Sequence, residues 1–354
     1  KSYTLCYTIT MMEGLLCVLD FSKIVDISEN NFRQNYPEVL DVLLRDHTTH
    51  KNIFWATDNY EDLGEGFLYH DLIIPERITG IYGTVIMPRV KKNKILQSAR
   101  VRDMAEVFTP SWICNAQNNL IDSAWFGREN IFNTEYTNPD GSHSWGPSES
   151  PVVFPQKKSW INYVRALRLE ITCGEAPYIT SRYDTTTGEF IPLERRVGLL
   201  DRKLRIVNEN TSTSTDWLGA AQDAYRSIYA YEWQGDSLLL AREAMLYTFI
   251  ENYQMKFGKM PQEKSIRFIA YIISWNVWQM DGLKRVVPDS CHDEVVSVLF
   301  GEGERKKCKG CATGKHDEHN GKYCLIKDWF HKDPVTKKYG VKITYHSLFG
   351  GTSA

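Results

Sequence analysis

Nowhere in its 354 residues does this chain gather an apolar run long enough to cross a bilayer, which takes about 20 such residues in a helix. No membrane partner is therefore expected, and the mean hydropathy of −0.39 agrees. An excess of one charge is missing too. Lys and Arg number 42 against 44 Asp and Glu, a net charge of −2, so any contact with DNA has to come from a local basic patch. There is no internal repeat and no low-complexity tract, which excludes solenoids and biased linkers. A cleavable leader is not read either, because Glu13 and Asp20 interrupt the mildly apolar start. Met11 or Met12 is the expected natural start, and the cytoplasm the expected location. The eight cysteines do not form a spaced disulfide framework, since three crowd into 308–324 beside histidines. Thirteen prolines are so spread that no two are adjacent.

What is present is 42% hydrophobic residues, enough to bury a large core in one or two domains. Short apolar runs broken by Gly and Pro (Ile53-Phe54-Trp55-Ala56, Gly66-Phe67-Leu68-Tyr69, Thr84-Val85-Ile86-Met87-Pro88) predict a β-rich N-terminal region over 1–100. The basic run of Arg89, Lys91, Lys92, Lys94, Arg100 and Arg102 reads first as a solvated face and second as a phosphate contact. Phe108-Thr109-Pro110 opens a helix, with Thr109 as its N-cap and Pro110 at its first position. Residues 133–156, rich in Asn, Pro, Gly and Ser, read as a long loop. Helices are predicted over 160–169, 195–205, 217–228 and 234–252, and strands at Leu169-Glu170-Ile171-Thr172, over 228–232 and over 273–280. Strands alternating with helices make a parallel α/β sheet over 101–300 the expected architecture.

In such a sheet ligands sit beyond the carboxyl ends of neighbouring strands. The first strand runs into Cys173-Gly174-Glu175-Ala176-Pro177, where Gly174 lets backbone approach a ligand and Pro177 suits the first turn of a helix. The second ends at Glu232, placed to accept from ribose hydroxyls, and the third at Asp281, placed to bind an exocyclic amine. Each acid taken alone reads more simply as the cap of a following helix. Taken in order, they favour a nucleotide-type ligand.

Phe108-Thr109-Pro110, the stretch 169–179, Tyr229-Ala230-Tyr231-Glu232 and the stretch 276–283 resemble, in order, the cofactor motifs of adenine-specific (N6) DNA methyltransferases. The resemblance is greatest to proteins described as the modification subunit (subunit M) of restriction–modification systems, and it covers roughly residues 100–330. It implies a Rossmann-like sheet that binds S-adenosylmethionine, with DNA and possible restriction or specificity subunits as partners. In that family the Phe-Thr-Pro element and the glycine turn close on the methionine part of the cofactor. The second-strand acid holds the ribose and the third-strand Asp the adenine. Those roles fall here to Phe108, Thr109 and Pro110, to Glu170, Cys173, Gly174 and Glu175, to Glu232, and to Asp281.

The family's catalytic turn, Asn/Asp-Pro-Pro-aromatic after a fourth strand, is absent. That turn would hold the amine of a flipped adenine and stack on its ring. Where the fourth strand is expected stands Tyr323-Cys324-Leu325-Ile326-Lys327-Asp328-Trp329-Phe330, in which Asp328 and Trp329 imitate an acid beside a stacking ring. The simpler account of Asp328 is a cap or ion pair, and of Trp329 core packing. Two functions follow: an adenine N6-methyltransferase, or a DNA-binding or specificity subunit that keeps the cofactor fold without catalysis. A metal-dependent nuclease is disfavoured, because Glu170 and Asp184 do not make an acid–acid–lysine spacing.

Cys308, Cys311, His316, His319 and Cys324 fall within seventeen positions rich in glycine. Thiolates and imidazoles so spaced suit a tetrahedral structural zinc site. The expected ligands are Cys308, Cys311, His319 and Cys324, with His316 as substitute, while Cys291-His292 would need a longer closure. Lys306, Lys307, Lys309 and Lys315 would put this zinc-stapled loop (301–330) beside phosphates, ahead of a tail over 331–354.

Overall fold

The computed structural model describes residues 29–92, 109–296 and 304–349. Phe108, Lys94, Arg100 and Arg102 lie outside them. The positioning element is a parallel sheet of three short strands, β3 (Arg168–Glu170), β4 (Ile228–Glu232) and β5 (Val277–Gln279), in the order β3-β4-β5. Leu169 stands opposite Tyr229, and Tyr231 opposite Trp278, so all three strands end on one side. The expectation of a parallel α/β arrangement holds. The third strand is shorter than predicted, because residues 273–276 form the last turn of a helix. There Ile266, Ile269, Ala270 and Ile273 are buried at helical spacing, and that period overrides the β-branched composition.

Two helices fill each crossover. The short α4 (Trp160–Val164) precedes β3; between β3 and β4 lie α5 (Leu199–Asn210) and α6 (Ser214–Arg226), and between β4 and β5 lie α7 (Gly235–Phe257) and α8 (Glu263–Asn276). Helix α7 is buried without a break from Gly235 to Tyr253, so it runs through the core and not along the surface. Within it, Glu251 takes Arg182 at 2.6 Å and Arg196 at 2.5 Å. Arg242 donates to the Val277 carbonyl at 2.6 Å, which docks the helix on β5. Asn276, buried at the α8–β5 junction, donates to the carbonyls of Tyr225 and Ile228 and accepts from the Trp329 indole at 2.7 Å.

Over its described residues, 29–92, the N-terminal region is not β-rich. It holds α1 (Glu29–Asn35), α2 (Pro37–Leu44) and single-turn helices, and the strand-like runs make only isolated bridges, such as Phe54 with Leu72. Phe54 bonds instead to a side chain: its amide donates to Gln279 and its carbonyl accepts from Gln279. Gly64, Gly66 and Gly80 adopt positive φ and break up the runs between them. This region has no separate core, since Phe32, Leu40 and Trp55 pack in the same apolar cluster as Leu239, Phe249 and Trp329.

Residues 133–156 are also more ordered than predicted. β1 (Asn133–Thr137) and β2 (His143–Pro147) form an antiparallel hairpin around Asn138-Pro139-Asp140-Gly141, with Gly141 at φ 83°. After the sheet come the pair β6 (Glu294–Val296) and β7 (Glu304–Lys306), the short helix α9 (Lys309–Thr313), and the hairpin of β8 (Leu325–Lys332) with β9 (Tyr339–Thr344). β8 pairs only with β9, so it is not a fourth strand of the parallel sheet. Among the described residues no helix is long and apolar enough to cross a membrane.

Candidate functional site

At the end of β3 the chain does not enter a helix. Thr172, Gly174 and Ala176 all have positive φ, and from Pro177 the chain makes only a turn, the Ile179 and Thr180 amides donating to the Ala176 carbonyl. The Cys173 amide extends the ladder to the Tyr231 carbonyl at 3.0 Å, which carries the turn to the tip of β4. There Glu232 gathers three amides: Gly174 at 2.8 Å, Trp233 at 2.8 Å and Gln234 at 3.2 Å. Burial pushes the Glu232 carboxyl above its ordinary range, and the three amides pull against that rise.

Glu170 is still more enclosed. Part of the residue is exposed, but its carboxyl is inside, where Oε1 meets the Tyr178 amide at 3.4 Å and buried Oε2 has no partner. Burial pushes this carboxyl well up, which favours the protonated acid. Glu175 accepts from the Arg89 amide at 2.8 Å and contacts the Tyr183 hydroxyl. Cys173 is buried, and burial raises its thiol well above the usual value. A Cβ at Gly174 would meet nothing within 4 Å.

Asp281 reaches the same end of the sheet, just past Met280, whose amide donates to the Glu232 carbonyl. It is engaged locally, accepting from the Leu283 and Lys284 amides and pairing with the Lys284 ammonium at 3.4 Å. Thr109 does not cap a helix. The helix α3 (Ser111–Phe126) starts after Pro110, and Asp184 caps it from a distant loop by accepting the Ser111 amide at 2.7 Å. The Thr109 carbonyl accepts from Thr185. Glu170, Cys173, Gly174, Glu175 and Glu232 are thus brought together, with Asp281 one strand over.

Asp328 and Trp329 do not form a base-holding pair. Asp328 caps a β-bulge through the amides of Phe330 and His331, and Trp329 is buried against the main core with its indole bonded to Asn276. A cavity of about 490 Å³ opens elsewhere, beside the β1–β2 hairpin. Arg205 and Lys256 in its wall are spent on the carbonyls of Phe132, Ser148 and Asn208.

The second constellation lies beyond β5. Cys291, Cys308, Cys311 and His319 direct one ligand atom each into a group within 4.8 Å and can hold a metal ion. The Cys291 and Cys308 sulfurs are 3.1 Å apart, and each lies 3.5 Å from His319 Nδ1; Cys311 Sγ is 3.6 Å from both Cys291 Sγ and that nitrogen. A tetrahedron with Zn–S near 2.3 Å and Zn–N near 2.0 Å has edges of roughly 3.5–3.8 Å, which four of these separations match, while the Cys291–Cys308 pair is closer and would open to admit the ion. Gly310 makes the room, because a Cβ there would fall 2.6 Å from His319 Nδ1. The Cys311 amide donates to Cys308 Sγ at 3.3 Å, and Gly314 closes the α9 turn at φ 73°. Burial opposes ionisation of Cys308, but the Cys311 amide and the neighbouring thiols and imidazole outweigh it and bring the thiol down to about 6. Burial and sharing with Cys308 and Cys311 push Cys291 up to about 12.

The fourth ligand corrects the expectation. Cys324 is fully buried among Tyr231, Trp278 and Met280, its thiol on the Gln279 carbonyl at 3.4 Å. It starts the alternation into β8 and faces the core, a signal that Cys324-Leu325-Ile326 carries. Cys291 lies seventeen positions before Cys308, too far for a spacing rule. Only Pro288-Asp289-Ser290, a turn just before it, marks the place. No family model, no curated protein and no solved structure matches this chain.

Proposed function

We propose that this chain is an S-adenosylmethionine-binding protein of the adenine-specific DNA methyltransferase type, acting on DNA within a restriction–modification system. The observation that carries the reading is the meeting of the Gly174 turn and Glu232 at one end of a parallel sheet, where Gly174 faces open space. Once bound, the cofactor supplies an electrophilic methyl group. Glu232 would hold the ribose, Asp281 the adenine, and the Gly174 turn the methionine part. Dry neighbours such as Glu170 and Cys173 would keep water from that end. The Cys₃His cluster fits structural zinc, since four protein ligands leave no open position for a reacting water.

One observation favours the second reading, a cofactor-binding subunit without catalysis. Asp328 and Trp329 are committed to the bulge and the core, and no Pro-Pro turn exists to replace them. Calorimetry with S-adenosylmethionine and transfer of tritiated methyl to DNA separate the readings. Binding that is lost in Glu232→Ala and Asp281→Ala, with methyl transfer, supports the enzyme. Binding without transfer supports the subunit, and no binding to the folded wild type ends both.

A further inference from the structure

We infer that a metal held by Cys291, Cys308, Cys311 and His319 fastens the loop leaving β5 to the Cys/His segment, so that the occupied site sets the shape of the third strand end. Three of the ligands lie in one short stretch, 308–319, and the fourth arrives from the far end of the loop 281–291. That loop and the stretch 320–324 run side by side. The Val287 amide donates to the Lys322 carbonyl at 2.8 Å, the Cys324 amide to Arg285 at 3.2 Å, and the Lys322 amide to Ser290 Oγ at 2.9 Å. The Asn320 side chain spans His292, accepting from its amide at 3.2 Å and donating to its carbonyl at 2.8 Å. The backbones are so close that a Cβ on Gly321 would fall 2.9 Å from the Cys291 amide nitrogen.

The start of the loop is Asp281, whose carboxylate organises the turn through Leu283 and Lys284. Its other end is Cys291. A few hydrogen bonds in a partly exposed loop open readily, whereas a metal that joins both segments closes the loop for as long as it stays bound. Without a metal, the three sulfurs and the imidazole nitrogen converge with no bond among them strong enough to hold Cys291 against the 308–319 stretch. Fastening therefore propagates from Cys291 back to Asp281. The consequence for nucleoside binding rests on the reading above; the fastening itself does not.

The test uses the full chain loaded with Zn²⁺, and with Co²⁺ as a spectroscopic probe. Metal content by mass spectrometry should be about one ion per chain for wild type and Cys324→Ser, and should fall at least tenfold in Cys291→Ser. Chelation of the wild type should raise amide exchange at least tenfold over 281–292 and 320–324 and leave β4 unchanged. Retention of metal by Cys291→Ser with loss in Cys324→Ser would overturn the ligand set. Unchanged exchange over 281–292 after complete metal removal would overturn the fastening, whatever the variants do. Calorimetry with S-adenosylmethionine on the same two samples separates the claims: weaker binding after chelation supports both, and exchange that responds while neither sample binds leaves the fastening standing and the cofactor reading refuted.

Discussion

The strand-end cradle and the Cys₃His cluster lie at opposite ends of one loop and keep their shapes by different means. In the cradle, Glu232 already accepts from three amides, which leaves one of a carboxylate's roughly four acceptor positions, and Asp281 accepts from two amides and pairs with a lysine. Glu232 so held keeps its place before any ligand arrives, because the acid already has backbone partners. In the cluster, the facing atoms are three sulfurs and a nitrogen that have chiefly one another. Crowded thiols are a poor substitute for a cation, so this geometry persists only with something among them. A preformed site is tuned by competition with its internal bonds, whereas a site of converging donors is made by its ligand.

That contrast can be broken first at the cluster, where the largest effect is expected. Gly310→Ala puts a methyl into the His319 ring and its backbone, and zinc affinity should drop by about 10–100-fold, the size of effect seen when support for a ligand is disturbed. A competition titration with a chromophoric chelator reads it; unchanged affinity would mean that His319 is not a ligand. At the cradle the expected effect is on folding, with or without metal. Glu232→Gln turns a donor toward an amide of Gly174, Trp233 or Gln234 and should cost about 1–3 kcal/mol in urea denaturation. Should that loss vanish on zinc removal, the metal would be shaping the tip of β4 as well as the loop that begins at Asp281.

The two regions also differ in how far the sequence disclosed them. The three parallel strands were legible as local apolar runs, but only Glu232 ends its strand where predicted: the first stops at Glu170, short of Thr172, and the third keeps only Val277–Gln279 of 273–280. The helix after Gly174 was not excluded by any local signal: three positive φ values in five residues depend on the ladder bond from Cys173 to Tyr231 and on Glu232 reaching across. The N-terminal runs misled for a related reason. Phe54 looks like a strand residue, and its partner is a side-chain amide contributed by Gln279. At the cluster, three ligands follow from spacing, but the choice between Cys291 and Cys324 depends on which cysteine faces the core. Burial of Cys324 is set by Tyr231 and Trp278, which pack around it from two strands far off in the chain.

The smallest effect, and the most discriminating for the cradle, belongs to Glu170. Burial raises its carboxyl well above the ordinary value, so the folded chain keeps a proton there that the unfolded chain has released. An unfolded glutamate titrates near 4.3. From about that pH upward the folded state binds more protons, and stability falls as pH rises until the folded carboxyl itself ionises. Glu170→Gln keeps an acceptor for the Tyr178 amide but cannot ionise, so it removes this slope. Variant and wild type should be equally stable at the acid end of the range, with the variant gaining about 1 kcal/mol per pH unit just above it before levelling off. Urea unfolding at a series of pH values measures the gap. A gap that stays constant, or that favours wild type as pH rises, would mean that the carboxyl is ionised in the fold and that the strand end is wet. In that case the cradle would lose the dryness on which its proposed use depends, while the metal-held loop beside it would stand untouched.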